Sequence, residues 1–453
     1  MLIKNFVIML KKIYPLLVIV LVLSSCTIEP EEFDAKQGAA DFSTTVFIGN
    51  SLTAGFSSGE LYKSAQEESF PAIIAQSMNQ AGFINQFKQP LMPGETGFGN
   101  RLTLGYSTNC EGVTDLGPVP YSDEPDISPA MASVASEGPF QNLGVPGAKV
   151  ADLITPGYGS SAGNPYFARF TSDPMNTILQ EATAQNPTFS VVWIGNNDVL
   201  GYATSGGTGT PITDPVTFSA NLETVVQSLS TDGANGVLCN IPDVTSTAYF
   251  TTVPYYGLVL DADQAHALME SYEGYNQLAE ANDLDPMSFN IGPNSFIIED
   301  KDPTYDPVGN IRQIDPGELI ALEIPLDSVT CYGMGSATPI PDEYVLTSTE
   351  LEDINSAIAA YNNSIADIAD TYGWAVTDVN GMLADIAQNG RRIGGKSYSI
   401  DFVTGGLFSL DGIHLTGNGN AIVANEIIET INLHFDAALP KAMVNNYTGI
   451  IYP

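Results

Sequence analysis

The feature that most constrains this chain is a rhythm. Short, mostly apolar runs closed by turn residues alternate with stretches of helical periodicity. The runs are Thr44–Gly49 (TTVFIG), Phe140–Val145 (FQNLGV), Phe189–Gly195 (FSVVWIG), Gly236–Ile241 (GVLCNI) and Trp374–Val379 (WAVTDV). A strand with one wet face alternates polar and apolar residues, whereas a strand covered on both faces does not. These runs therefore fit the middle of a sheet with helices on either side. Helical patterns at Phe70–Ala81, Met175–Ala184 and Phe218–Leu229 follow the first three runs; Thr349–Tyr372 precedes the fifth and Ile422–Phe435 follows it. The alternation predicts a three-layer α/β/α, flavodoxin-like parallel sheet, wound by right-handed crossovers.

Two stretches break the rhythm. Residues about 87–136 are rich in Gly, Pro, Ser and Asp, with weak periodicity. Residues about 245–345 hold one helical piece, Ala262–Ala281, then Phe296–Glu299 and Leu319–Ile324, which could pair as strands. A chain of 453 residues suggests about three domains by length alone. The strands flanking both stretches still need one another, so the two stretches read as long insertions in one domain. Loops this long inside a domain are usually functional.

The N-terminus reads as an export signal over residues 1–25. Lys4, Lys11 and Lys12 precede an apolar core, Ile13–Leu23, that is too short to span a bilayer, which needs about 20 residues. It ends in Leu23-Ser24-Ser25-Cys26, similar to a bacterial lipobox, which implies cleavage before Cys26 and lipid on its sulfur. Thr27 in place of Asp is compatible with the outer membrane, and Glu29, Glu31, Glu32 and Asp34 read as an acidic tether over residues 26–40. The protein is therefore expected to be exported and lipid-anchored in the cell envelope, touching the membrane only through its anchor. Of the 67 charged residues, 52 are acidic and 15 basic, for a net charge of −37, and loss of the three signal lysines takes this to −40. Such a surface repels phosphate backbones and anionic headgroups, which excludes nucleic acid as a partner. Three further cysteines remain. Cys239 lies in an apolar run and reads as core, while Cys110 and Cys331 lie in loop-rich segments and are the better disulfide candidates. None has the paired spacing of a zinc site.

Four short blocks carry chemistry. The first run enters Gly49-Asn50-Ser51-Leu52, which places Ser51 at the carboxyl end of the first parallel strand, where open α/β sheets hold ligands. Ser409-Leu410-Asp411-Gly412-Ile413-His414 precedes the last helix. Asp and His three apart in a turn can share one side, so that the carboxylate takes one imidazole nitrogen and leaves the other as a base. Asn142-Leu143-Gly144-Val145-Pro146-Gly147 closes the second run and Gly195-Asn196-Asn197-Asp198 the third. A turn glycine offers a backbone N–H and an Asn carboxamide a second donor, as a developing oxyanion requires. The other two histidines, His266 and His434, sit in helical contexts without an orienting acid at comparable spacing.

Taken in chain order, at the ends of runs one, two and three and just before the last helix, the four blocks resemble the GDSL/SGNH hydrolase family. The resemblance is to its large lipoprotein members of Bacteroidetes type, with Tyr344–Asn380, Gly405–His414 and Ile311–Pro325 adding to it. The resemblance implies Ser51 as nucleophile and His414 as base with Asp411 as its partner. It implies an oxyanion hole of the Ser51 N–H, the Gly147 N–H and the Asn197 side chain. Two departures stand out: Asn50 replaces the usual Asp, and Leu415 stands where Pro is common. The blocks must converge, so a single hydrolase domain is expected over 41–440, with the insertions at about 87–136 and 245–345.

The function expected is a serine ester hydrolase, a lipase or acyl esterase working through an acyl-enzyme, with no metal and no cofactor. Its partners would be a small-molecule, lipid or glycan ester, and it would act as a monomer. A carbohydrate O-acetylesterase is close behind, and a non-catalytic glycan-binding surface lipoprotein that keeps the fold is the alternative from another class. Two decoys are weighed. Gly159-Ser160-Ser161-Ala162-Gly163 satisfies G-x-S-x-G but lacks a strand before it and a helix after it, so Ser161 reads as a loop residue. Glu299, Asp300, Asp302 and Asp306 could loosely cage calcium, but without EF-hand spacing they read as a solvated acidic loop.

Overall fold

A computed structural model describes residues 33–453, of which Lys36–Pro453 form one compact unit. The export signal, Cys26 and residues 27–32 of the acidic tether lie outside the described residues. No helix among the described residues is long and apolar enough to cross a membrane.

Five strands make the central sheet: β1 (Thr45–Gly49), β2 (Asn142–Gly144), β3 (Phe189–Trp193), β4 (Asn235–Cys239) and β5 (Ala375–Thr377). They run parallel in the order β5-β4-β3-β1-β2. The order reverses direction between β1 and β3, the switch point of a flavodoxin-like sheet.

Alternate strand residues feed two separate cores. Val46, Ile48, Val192 and Leu238 face one way, Phe47, Val191, Trp193 and Val237 the other. This is the period-2 geometry of a strand with both faces dry, and it explains why the runs carry no polar alternation. Helices in chain order are α1 (Ser51–Ala54), α2 (Phe70–Gln80), α3 (Ile178–Thr183), α4 (Asn197–Ala203), α5 (Pro215–Leu229), α6 (Ser348–Tyr372), α7 (Val379–Asn389) and α8 (Gly417–His434). The first core packs under α3, α5 and α6, the second under α2, α7 and α8. Local signals start several of these helices at their expected places. Ser69 caps α2 through the Ala72 N–H, Asp214 caps α5 with Pro215 in its first turn, and Thr416 caps α8 through the Gly419 N–H.

The insertions are structured. Within residues 87–136, Leu102–Thr108 and Thr114–Pro120 form an antiparallel hairpin that the weak periodicity did not reveal. Within 245–345, the helical piece breaks at Tyr272 into Ala262–Ser271 and Glu273–Ala281. The expected pairing of Phe296–Glu299 with Leu319–Ile324 is not what forms. Ile297–Glu299 pairs with Ile311–Gln313, and Leu319–Ile320 with Val345–Leu346. The short 3₁₀ turn Pro303–Val308, closed by Gly309 at φ 83°, returns the chain within reach of a nearer partner. Cys110 and Cys331 form a disulfide that joins the two insertions, and Cys239 is buried in the core.

The edges of the body also move. Residues 36–40, grouped with the tether on sequence, pack here: the Ala39 N–H donates to Phe435 O at 2.7 Å and Ala40 is buried. Beyond residue 440, Val444 and Tyr447 accept from the Asn418 amide at 2.9 and 2.6 Å.

Candidate active site

β1 ends at Gly49, and Asn50 turns the chain into α1, whose first residue is Ser51. The Asn50 side chain accepts from the Leu52 N–H at 3.0 Å and donates to Asn196 Oδ1 at 3.2 Å. Asn thus serves here as cap and as a tie to the loop after β3, both within reach of a carboxamide. Ser51 is 8% exposed.

His414 arrives from the far end of the chain. Its Nε2 lies 2.9 Å from Ser51 Oγ and its Nδ1 lies 3.0 Å from Asp411 Oδ2. The spacing of Asp and His works because Asp411 folds its own turn. Its Oδ1 accepts from the Ile413 N–H at 2.9 Å and the His414 N–H at 2.8 Å, while the Ser409 N–H donates to His414 O at 2.7 Å. Leu415, where Pro is common, is buried in the second core.

Asp411 is further held by the Gly59 N–H on Oδ2 at 2.7 Å and by the Ser409 hydroxyl, 3.2 Å from Oδ1. Burial alone would raise its pKa. The imidazole beside it and these backbone donors win, and hold the carboxyl well below the usual carboxylate range. A carboxyl held low in this way is placed to stabilise a positive imidazole.

The oxyanion candidates lie at the ends of β2 and β3. Gly147 is solvent-exposed at φ 82°, a conformation that favours glycine. Asn197, the first residue of α4, lines the same small cleft as Ser51 and His414. Its amide donates to Ala148 O at 2.9 Å, which fixes it beside the Gly147 turn and leaves its second N–H. Asp198 takes the Val150 N–H at 3.0 Å, so two successive residues after β3 pin the loop after β2. Among the described residues, no acceptor meets the N–H of Ser51 or of Gly147. The structure thus joins Ser51, His414 and Asp411 directly and sets Asn197 in their cleft. Gly147 is linked to Asn197 through its neighbour Ala148 and does not line the cleft.

The cleft measures about 40 Å³ and is walled by Leu200, Pro242, Val244, Thr247 and Ile413.

Sequence reasoning missed several residues here. Phe56 lays its ring 4.6 Å from that of His414, and Ser57, Ser58 and Gly59 tie to the 409–415 loop. Nothing local marks them, because their partners lie some 350 positions away. The decoys separate from the site. Ser161 is exposed in a loop, and the neighbouring Asn164 donates to Pro146 O at 2.8 Å, which steadies the Gly147 turn. His266 is exposed on a helix beside Glu270, and His434 ends α8. The acidic loop is not simply solvated: Asp300 is buried against Arg312, Nε to Oδ2 2.6 Å. Among the described residues, no group of three His, Cys, Asp or Glu side chains is placed to hold a metal.

A family model described as GDSL-like Lipase/Acylhydrolase matches residues 45–427, from the first strand to the last helix. The chain belongs to this family. It is an ester-bond hydrolase. No curated protein matches it. Among solved structures it is similar to LAE5, an alpha/beta hydrolase enzyme from the metagenome of Lake Arreo, Spain, at 12% identity, covering 87% of this chain and 96% of that one, with TM-score 0.37. It is also similar to an acetyl xylan esterase, AlAXEase, at 14% identity, 84% and 96% coverage and TM-score 0.33. A gut microbial diltiazem-metabolizing enzyme, BT4096, matches at 12% identity and TM-score 0.33, over 87% of this chain and 47% of that one. This GDSL acylhydrolase thus has only distant likenesses among them.

Proposed function

We propose that this GDSL acylhydrolase cleaves esters of short acyl groups through a Ser51 acyl-enzyme. The observation that carries the reading is the unbroken relay from Ser51 Oγ to His414 Nε2 (2.9 Å) and from His414 Nδ1 to Asp411 Oδ2 (3.0 Å).

His414 takes the Ser51 proton as the oxygen attacks the ester carbonyl, and Asp411 keeps the imidazole in the tautomer that leaves Nε2 free to accept. The oxyanion is met by the N–H groups of Ser51 and Gly147 and by the Asn197 amide, one such donor contributing about 3–4 kcal/mol. His414 then gives its proton to the leaving alcohol. Water repeats the two steps and releases the acid.

The small cleft beside Ser51 favours an acetyl-sized acyl group over a long chain. This shifts the balance between the two enzyme readings of the sequence from a lipase toward an O-acetylesterase. A non-catalytic glycan binder has no use for an intact relay. The lipid anchor on Cys26 and an outer-membrane location remain part of the proposal on the N-terminal sequence. Turnover of p-nitrophenyl acetate, octanoate and palmitate, with acetylated xylan alongside, tests the acyl preference. Faster hydrolysis of palmitate than of acetate would overturn it. Covalent labelling by a fluorophosphonate tests the nucleophile, since Ser51→Ala should abolish both label and turnover.

A further inference from the structure

The turn that carries Asp411 and His414 is held from two sides, directly by the second insertion and, through Ser57–Gly59, by the first. Ser57–Gly59, just after α1, make three consecutive ties. Ser57 Oγ donates to Leu415 O at 3.1 Å, the Ser58 N–H to Ser409 Oγ at 2.8 Å, and the Gly59 N–H to Asp411 Oδ2 at 2.7 Å. Ser58 O in turn accepts the Leu102 N–H at 2.8 Å, so the hairpin hangs from the middle of this clasp.

On the other side, the Tyr249 N–H donates to Gly412 O at 3.0 Å, and Tyr249 O accepts the Leu322 N–H at 2.8 Å. Gly412 lies at φ 75°, and a Cβ there would meet Tyr249 N at 2.8 Å and Leu322 Cδ2 at 3.1 Å. The second insertion is pressed against the catalytic turn with no room to spare.

The two arms are 221 residues apart at the cysteines, yet Cys110 at the hairpin turn is bonded to Cys331 in the helix Leu326–Tyr332. The path from Asp411 through Gly59, the hairpin, the disulfide, Leu322 and Tyr249 back to Gly412 is therefore closed. Backbone hydrogen bonds contribute only about 1 kcal/mol each. A crosslink over so long a span removes freedom that such bonds cannot. Proton transfer between Ser51 and His414 is sensitive to misplacement on the scale of about 1 Å.

We propose that the two insertions form a single brace that positions the Asp411–His414 turn for proton transfer, and that the Cys110–Cys331 disulfide is the bond that makes them one. The proposal rests on the reading of Ser51, His414 and Asp411 as the triad. Gly59, Tyr249 and the cysteines are positioning residues and touch no substrate.

Cys110 is exposed, so a small dithiol can reach the bond. Dithiothreitol supplies two electrons and two protons. The S–S bond breaks, Cys110 and Cys331 end as thiols, and the reagent closes to its own cyclic disulfide.

The test compares oxidised, reduced and reoxidised full-length protein with p-nitrophenyl acetate, near-ultraviolet circular dichroism confirming that each is folded. Competent Ser51 is counted by fluorophosphonate titration. Reduction should lower kcat about three- to thirtyfold at unchanged KM, and reoxidation should restore it. The Cys110→Ser, Cys331→Ser double variant should match the reduced enzyme and ignore the reductant. Equal kcat in oxidised and reduced folded protein overturns the proposal. So does a rise in KM with kcat intact, which would give the insertions to substrate binding instead. Should the double variant not fold, reduction of the folded wild-type protein decides alone. If oxidised wild-type protein takes no fluorophosphonate at Ser51, the triad reading fails, and that outcome is distinct from failure of the brace.

Discussion

Two buried carboxylate centres in this molecule use the same ingredients to different ends. At Asp411, a carboxylate gathers backbone N–H groups and one side-chain partner, the imidazole of His414. In the second insertion, Asp300 and Glu318 gather around Arg312, which reaches Glu318 with both terminal nitrogens at 2.7 Å and Asp300 with Nε at 2.6 Å. Burial works against the charges of Asp411, Glu318 and Arg312, and their partners outweigh it. Arg312 is held above its ordinary pKa and Glu318 below its own, as Asp411 is.

The difference lies in what the carboxylates' partner has left to offer. A guanidinium only donates, and every contact it makes in the Arg312 cluster is to an acceptor. An imidazole has two faces. Asp411 takes one, and the other meets Ser51 Oγ. A closed ion cluster anchors a fold, whereas an open one can move a proton. That contrast, more than any gathering of acidic residues, separates the site from its decoy.

The contrast can be broken experimentally. The largest effect is expected for Asp411→Asn, which keeps the shape but favours the wrong imidazole tautomer. It should cost about 10⁴ in kcat on p-nitrophenyl acetate with far less change in thermal stability. Arg312→Met should do the reverse. Leaving Asp300 and Glu318 buried and unpaired should lower unfolding free energy in urea by about 3–5 kcal/mol, with little change in kcat of the molecules that stay folded. A large kcat loss in Arg312→Met with stability intact would erase the distinction.

A smaller effect should appear in acid. A carboxylate whose folded pKa is depressed contributes stability that is full above its unfolded value, about 3.9 for Asp, and fades as pH falls toward the folded value. Asp411→Asn should therefore flatten the loss of stability below about pH 5, by about one proton taken up on unfolding. The same Asp411 should add no limb to the kcat/KM profile above about pH 5. At the bottom of the scale, His266→Ala and Ser161→Ala should leave turnover unchanged in the same assay. Both side chains are exposed and away from the relay.

The legible parts of this molecule are those in which local pattern and global role coincide. The five core strands and their helices could be read because both faces of the sheet are dry, which leaves apolar runs in the sequence. The relay could be read because Asp411 builds its own turn within three residues. The insertions were harder. Their strands are two to seven residues long and mostly half-exposed, with small cores of their own, so period-2 signals are weak. The Ile297–Glu299 pairing went to Ile311–Gln313 because a turn nearby in sequence closes a shorter loop.

The sequence by itself determined the layered α/β sheet, which depends on residue types at short spacing, while the candidate relay residues and the class of chemistry came from the resemblance of four ordered blocks to a known family. It also marked Cys110 and Cys331 as candidates for a bond. Only the tertiary structure decided that this bond joins the two insertions and that the Asp411–His414 turn is held by Ser57–Gly59 and by Tyr249. It alone shaped the cleft beside Ser51, and it closed the acidic cluster around Arg312. Those outcomes depend on contacts between groups up to some 350 residues apart. Such contacts are set by how the layers pack, and no local period records them.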